Sequence, residues 1–336
     1  MLAADKPPDP NIRRPGRADP GLLDGIRRCE LIDPLADGRW EAFVAATLGA
    51  RAVHHRTWLA LLARTYWHPL LACCLVGATG EIRAGAPMML VRRRFRRPRL
   101  VCLPLSDRCA PLPEPDEDPV LAARLIEELD ALRRTLRVPL EIRGPIAPAV
   151  PARVLARHHR HVVPLERDVD AVVGRFRHQG EILAATDRAR RDGLVVERRT
   201  DTRALAELHR LSAGRPRGYE PAPPRRLTLG FAHLFDRGLG FVAIVRNRGQ
   251  AVDAMLFTTF NRVLTCNPGT RIPAMPRDPP RDLLLVEIIR WACAAGMRTL
   301  ELGRTLADDE QARAFKLSWG AEERSLEYHE LGGSAA

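Results

Sequence analysis

Lysine is almost missing from this chain. Lysine and arginine together number 53, yet only Lys6 and Lys316 are lysine. Aromatic residues are 5% of the chain, which leaves few platforms for stacking bases, and no RNA- or DNA-binding module is recognisable. No apolar run approaches the roughly 20 residues of a membrane helix; the longest nearly uncharged one is Leu70 to Thr79. The N-terminus lacks the apolar core of a secretory signal, so none is expected. The seven cysteines are odd in number and form no CxxC pair, which argues against a disulfide framework and for a reducing cytoplasm. No G-x-x-x-x-G-K-[ST] or G-x-S-x-G occurs, which removes P-loop NTPases and elbow hydrolases. His158, His159 and His161, in "HHRH", and the His54-His55 pair lack zinc spacing, so no metal is expected.

Positive charge is abundant: the net charge is +12 and the pI near 10.3. It fits an anionic partner such as tRNA, coenzyme A, a nucleotide-linked precursor or an anionic membrane face contacted peripherally. It fits equally a genome that writes its solvated surface in arginine. The densest run, "RRRFRRPR" at 92–99, reads as a hairpin tip or loop. The apolar share of 46% and the length place the chain among globular proteins of about two domains.

Residues 1–38 are rich in Pro, Asp and Arg and read as a flexible lead-in. Helical spacing follows at Trp40–Leu48 and in "HHRTWLALLARTY". "LLACCLVGATGEIRAGAPMMLV" reads as a hairpin, "RLVCLPLSDRCAPL" as a strand ending at Ser106-Asp107, then a long helix, then the strand "VPLEIRG". The second half repeats that order with "GFVAIVRNRGQAVDAMLFTTF", "RVLTCNPG", the helix "RDLLLVEIIRWACAAGM" and the strand "RTLELGR". Both closing strands end on a Gly and Arg pair, Arg143-Gly144 and Gly303-Arg304. The two copies lie far apart in the chain, so this is a duplication into two like α/β (α+β) domains and not a short-period solenoid. Between them, "DAVVGRFRHQGEILAATDRARRDGLVVERRT" reads as two helices and a strand, with Gly193 as a stop.

Lys316 falls in the most patterned segment, "ELGRTLADDEQARAFKLSWGAEE". Asp308 with Gln311 fits a capping box, Phe315 and Trp319 are four apart and share one face, and Gly320 ends the helix. An ammonium is a compact point charge that can grip one oxyanion and shift its pKa. Against a functional lysine stands a chance lysine on a helix surface.

The segments "VCLPLSDRCAPL" and "ELGRTLADDEQARAFKLSWGAEERSLEY" resemble the Fem-type branch of the GNAT superfamily, loosely from about residue 40 to 330. That resemblance implies two tandem GNAT-like domains, each a mixed central sheet flanked by helices, over residues 39–165 and 166–331. It implies acyl transfer: an acyl or aminoacyl group passes from acyl-CoA or aminoacyl-tRNA to an amine of a cell-envelope or polysaccharide-related acceptor. Lys316, Asp107 and Glu301 are the catalytic candidates, Asp107 ahead of Glu301 as general base. Arg304, Ser106, Gly303, Arg313 and Trp319 are the candidates for substrate binding. Lys316→Ala is expected to leave folding intact and to weaken substrate binding. Three places depart from the family pattern: "TCNPGTR", "RRLTLGFAHLF", and the missing pyrophosphate loop, since Gly238 and Gly240 precede a strand instead of opening a helix. The rival is a non-catalytic polyanion or RNA binder on a degenerate acyltransferase fold.

Overall fold

The computed structural model describes residues 26–93, 96–104, 106–213, 225–266 and 279–332. The first half runs β1 (Ile26–Ile32), α1 (Gly38–Ala46), a 3-10 turn (Ala52–His54), α2 (Arg56–Tyr66), the hairpin β2 (Leu70–Gly77) and β3 (Ile82–Arg93), β4 (Arg96–Val101), α3 (Pro119–Leu136), β5 (Leu140–Arg143) and β6 (Ala152–Pro164). The second half runs α4 (Val169–Gly174), α5 (Gln179–Arg191), β7 (Leu194–Arg199), α6 (Thr202–Ala213), α7 (Arg225–Gly230), α8 (Ala232–Phe235), the hairpin β8 (Gly240–Asn247) and β9 (Gln250–Phe260), and β10 (Val263–Cys266). It ends with α9 (Pro279–Ala294), β11 (Thr299–Leu306), α10 (Glu310–Leu317) and β12 (Glu322–Leu331).

The strands form one sheet of 12, in the order β1-β2-β3-β4-β5-β12-β6-β11-β10-β9-β8-β7. Read from either edge, the order is the same: an edge strand, a hairpin, a strand and its parallel partner. The parallel pairs, β4 with β5 and β10 with β11, are bridged by the long helices α3 and α9, as parallel neighbours require. At the centre the final strands of the halves are exchanged. β6 lies against β11, and β12 lies against β5.

Local chemistry accounts for the long elements. In α3, the Asp118 carboxylate caps the free N–H groups of Val120 and Leu121, Pro119 starts the helix, and Leu121, Leu125 and Leu129 bury one face. β8 alternates: Val242 and Ile244 enter one core, and Phe241, Ala243 and Val245 enter the other. The first core is built on Trp40, Trp58 and Leu62 and extends under α6 to α8. The second holds α4, α5 and α9 against the opposite face.

Three expectations need correction, and two strands were not foreseen. The segment read as a flexible lead-in contains the edge strand β1, whose residues 28–32 pair with β2. β4 stops at Val101, so Ser106 and Asp107 belong to the following loop. The helix after β11 is capped by Asp309, which accepts from the Ala312 N–H, and not by Asp308. The long strands β6 and β12 carry no apolar alternation that would announce them. "RRRFRRPR" does lie at the turn between β3 and β4, of which 94–95 are outside the described residues. The departure "TCNPGTR" also lies mostly outside them, beyond Cys266.

Candidate functional site

β10 and β11 pair over three positions, ending at Thr265 and Glu301. β11 then bulges: on the β6 side Glu301 faces Val162, but Arg304 already faces Arg160, so two residues oppose one. Gly303 makes the bulge with φ +73°, and a Cβ there would stand 3.2 Å from Asp107 Oδ2. Only glycine takes that backbone cheaply while leaving room for the carboxylate.

Lys316 answers for its own rarity at this bulge. It is 0% exposed, and its Nζ donates to the carbonyl oxygens of Gly303 at 3.2 Å and Arg304 at 2.8 Å. A compact ammonium fits between two converging carbonyls, where a planar guanidinium with five donors does not. Lys316 therefore buttresses the bulge from behind. The expectation that Lys316→Ala leaves folding intact does not survive this geometry, because two buried carbonyls would lose a donor.

Asp107 reaches the bulge from the first half. Its Oδ1 accepts from Arg304 Nε at 3.0 Å and its Oδ2 from the Arg304 backbone N–H at 3.3 Å. Its backbone carbonyl accepts from the Tyr328 hydroxyl at 2.7 Å. Burial pushes the Asp107 carboxyl above the ordinary carboxylate range, against the opposing pull of Arg304 and Lys316. Burial also pushes the Tyr328 phenol up to about 12.

Glu301 is titrated in the opposite sense. Burial alone would raise it, but the guanidinium groups of Arg51, Arg108 and Arg160 outweigh burial and hold it below its usual range. Its Oε1 is 3.1 Å from Arg51 Nε and 3.6 Å from Arg160 Nη1, and Thr265 donates its hydroxyl to Oε2 at 3.4 Å. Asp107 and Glu301 thus face one small cavity with carboxyl groups shifted apart.

The cavity is lined by Asp107, Glu301, Gly303 and Arg304 together with Arg51, Arg108, Arg160 and His161, and by apolar Ala52, Val53 and Leu326. Among the described residues its lining does not include Ser106, Lys316, Arg313 or Trp319. Ser106 holds the loop through its carbonyl, which accepts from Arg143 Nη1 at 3.0 Å. Arg313 makes a two-pronged pair with Glu323, both contacts at 2.8 Å. Trp319 is core: it stands edge-on to Phe176 at 5.2 Å and to Phe315 at 6.2 Å.

Two histidines missed by reasoning on zinc hold the walls. His161 is 0% exposed and lies between Glu323 and the Thr305 hydroxyl. Burial, then Lys316, lowers it to about 4, so it is neutral. His54 accepts the Arg51 N–H on Nδ1 at 3.0 Å, which fixes the proton on Nε2 for donation to the Ala110 carbonyl at 3.0 Å. His54 thereby ties the loop bearing Arg51 to the loop bearing Asp107 and Arg108. The "LSDRC" segment pointed at Arg108 by adjacency; nothing local pointed at Arg51. Among the described residues no group of three or more His, Cys, Asp or Glu is placed to hold a metal, and no helix is long and apolar enough to cross a membrane.

Residues 181–317 match the model of the acetyltransferase (GNAT) domain. No curated protein matches the chain. Among solved structures, FemX aligns with a TM-score of 0.63 at 12% identity, covering 89% of this chain and 96% of that one. L-PGS from Bacillus licheniformis aligns at 0.57 and 14% identity, over 89% and 93%. A conserved protein of unknown function from Bacteroides thetaiotaomicron aligns at 0.56 and 11%, over 89% and 97%. At these identities the likeness shows the fold. The second half is thus similar to the acetyltransferase (GNAT) domain, and the chain has the fold of FemX over most of its length, as the resemblance implied.

Proposed function

We propose that the chain is an N-acyltransferase that joins an acyl or aminoacyl group to an amine. The observation that carries this reading is Asp107: a largely buried carboxyl with a raised pKa, oriented by Arg304, at the point where two parallel strands part. Such a group accepts the proton that an attacking amine must lose. Arg304 holds Asp107 in register, and Lys316 fixes the bulge that carries Arg304. Glu301, kept ionised among arginines, orders the cavity and does not compete for that proton. Gly303 brings the backbone close to the reacting groups.

The donor in this reading is acyl-CoA or aminoacyl-tRNA, and the net charge of +12 favours either through long-range attraction of phosphate. The acceptor is an amine of a cell-envelope or polysaccharide-related molecule, reached in the cytoplasm or at an anionic membrane face. Residues 39–165 and 166–331 are the two tandem units, with their last strands exchanged.

Asp107→Asn tests the assignment. With acyl-CoAs of increasing chain length and charged tRNA offered as donors, it should lower turnover by about 10²–10⁴-fold, the usual share of a general base. Wild-type activity should rise with pH through a pKa above the ordinary carboxylate value, and the variant should lose that limb. Undiminished turnover in Asp107→Asn removes Asp107 from the chemistry. No transfer from any donor, with steeply salt-dependent binding to random RNA, would return the chain to the polyanion-binding reading.

A further inference from the structure

Arg108 is the cavity charge whose hydrogen bonds are not all made. Its side chain is 9% exposed, and its guanidinium meets Glu114 through Nη2. Its buried Nη1 has no hydrogen-bond partner among the described residues. Buried donors in folded proteins are almost always satisfied, and an orphan calls for an explanation, a missing ligand among them. Arg51 and Arg160 stand beside it around Glu301. Three guanidinium groups against the carboxylates of Glu301 and Glu114 leave one positive charge in surplus. Arg304 is set against Asp107, and His161 on the wall is neutral.

Size narrows the ligand. The cavity measures about 40 Å³, roughly three water-sized sites, and it is closed on one side by Ala52, Val53 and Leu326. A planar carboxylate needs less of that space than a tetrahedral phosphate and pairs its two oxygens with the planar fork of a guanidinium. We propose that this cavity is a carboxylate subsite, in which Arg108 Nη1, with Arg51 and Arg160, binds a free carboxylate of the acceptor. A monocarboxylic acyl thioester and a neutral aminoacyl ester have their carboxyl carbon esterified, so with such donors the free carboxylate belongs to the molecule that brings the amine. The acceptor is then an amine that also carries a carboxylate, such as an amino acid, a conclusion that rests on the acyl-transfer reading through the nearness of Asp107.

Binding can be read without any donor. At constant ionic strength, acetate, glycine and diglycine should each raise the unfolding midpoint saturably, with inorganic phosphate weaker at equal concentration. Arg108→Gln combined with Glu114→Gln removes the pair without leaving a lone charge, and it should weaken carboxylate binding at least tenfold. Arg160→Gln should act in the same direction and serves if the double variant does not fold. Arg188→Gln, on an exposed helix face, should leave binding unchanged. No saturable effect on the wild type, equal binding in the variants that fold, or phosphate as strong as carboxylate would overturn the proposal. Carboxylate binding without acyl transfer from any donor would keep the subsite and remove the acyl-transfer reading. Transfer without any carboxylate preference would do the reverse.

Discussion

The two halves open their parallel strands in the same place and use the opening differently. In the first half, β4 and β5 pair only at Leu100–Leu140 and Val101–Glu141, and the loop that follows β4 closes the gap. Cys102 donates its N–H to the Glu141 carbonyl, Cys109 donates to that of Arg143, and Leu112 exchanges backbone bonds with Gly85. Cys102, Leu103, Cys109, Ala110 and Leu112 are all fully buried, so this mouth is sealed by apolar chain. In the second half, β10 and β11 part around Asp107, Glu301 and a ring of arginines. The residues that enter the second mouth, Asp107 and Arg108, come from the very loop that seals the first. The loop after β4 is a plug in the first half, and it supplies part of the charged wall of the second half's cavity.

Lys316 gives the largest expected effect, because it acts on the open mouth alone. Lys316→Met should cost about 2–6 kcal/mol, two carbonyls that lose their donor at about 1–3 kcal/mol each, measured by urea unfolding. Lys316→Arg should recover little, since a guanidinium has no room between those oxygens. A Met variant as stable as wild type would show that the bulge holds without its buttress.

His54 links the two mouths, and its protonation should uncouple them. Its folded pKa is about 4 against an ordinary 6.5, through burial first. The folded form therefore binds fewer protons than the unfolded chain below pH 6.5. Its contribution is complete above that value and is lost as pH falls towards 4, at ~3 kcal/mol when complete. His161 shifts in the same direction. His55 and His329 are lowered by burial as well, so His54→Gln should remove a part of the acid destabilisation between pH 6.5 and 4; an unchanged pH profile would place the linkage elsewhere.

The same contrast explains what could be read from the chain. The hairpins and the helix α9 announce themselves as apolar runs because they are buried on both sides, and α3 does so because its one buried face leaves a period of 3.6 in the sequence. β6 and β12 sit at the centre of the sheet yet read as surface, because across their shared border charges pair with charges: Arg157 with Glu327 and Arg153 with Glu330. That pattern is indistinguishable from a solvated arginine-rich stretch. At the site, Asp107, Glu301, Gly303 and Arg304 were legible from two short segments and do line one cavity. Lys316 was legible as an oddity, but its task depends on two carbonyls that turn towards it only in the folded bulge. Arg51 lies 250 positions from Glu301, and no local pattern could join them.

Gly144 lies just after β5 and Gly303 within β11, one at each mouth, and replacing each by alanine is the finest test of the contrast. A Cβ on Gly144 would sit 2.9 Å from the Ala110 Cβ and 3.2 Å from its Cα, with φ +151°, so the sealing loop itself must yield. A Cβ on Gly303 would meet only the Asp107 carboxylate at 3.2 Å, on a backbone at φ +73°, a left-handed conformation that costs a residue with a Cβ about 1–2 kcal/mol. Gly144→Ala should therefore lower stability more and leave the pKa on the activity profile in place. Gly303→Ala should cost about 1–2 kcal/mol of stability and move that pKa, because Asp107 must shift away from Arg304. If both variants lose stability alike and neither moves the profile, the two mouths differ in packing alone, and Asp107 does not set the pH dependence.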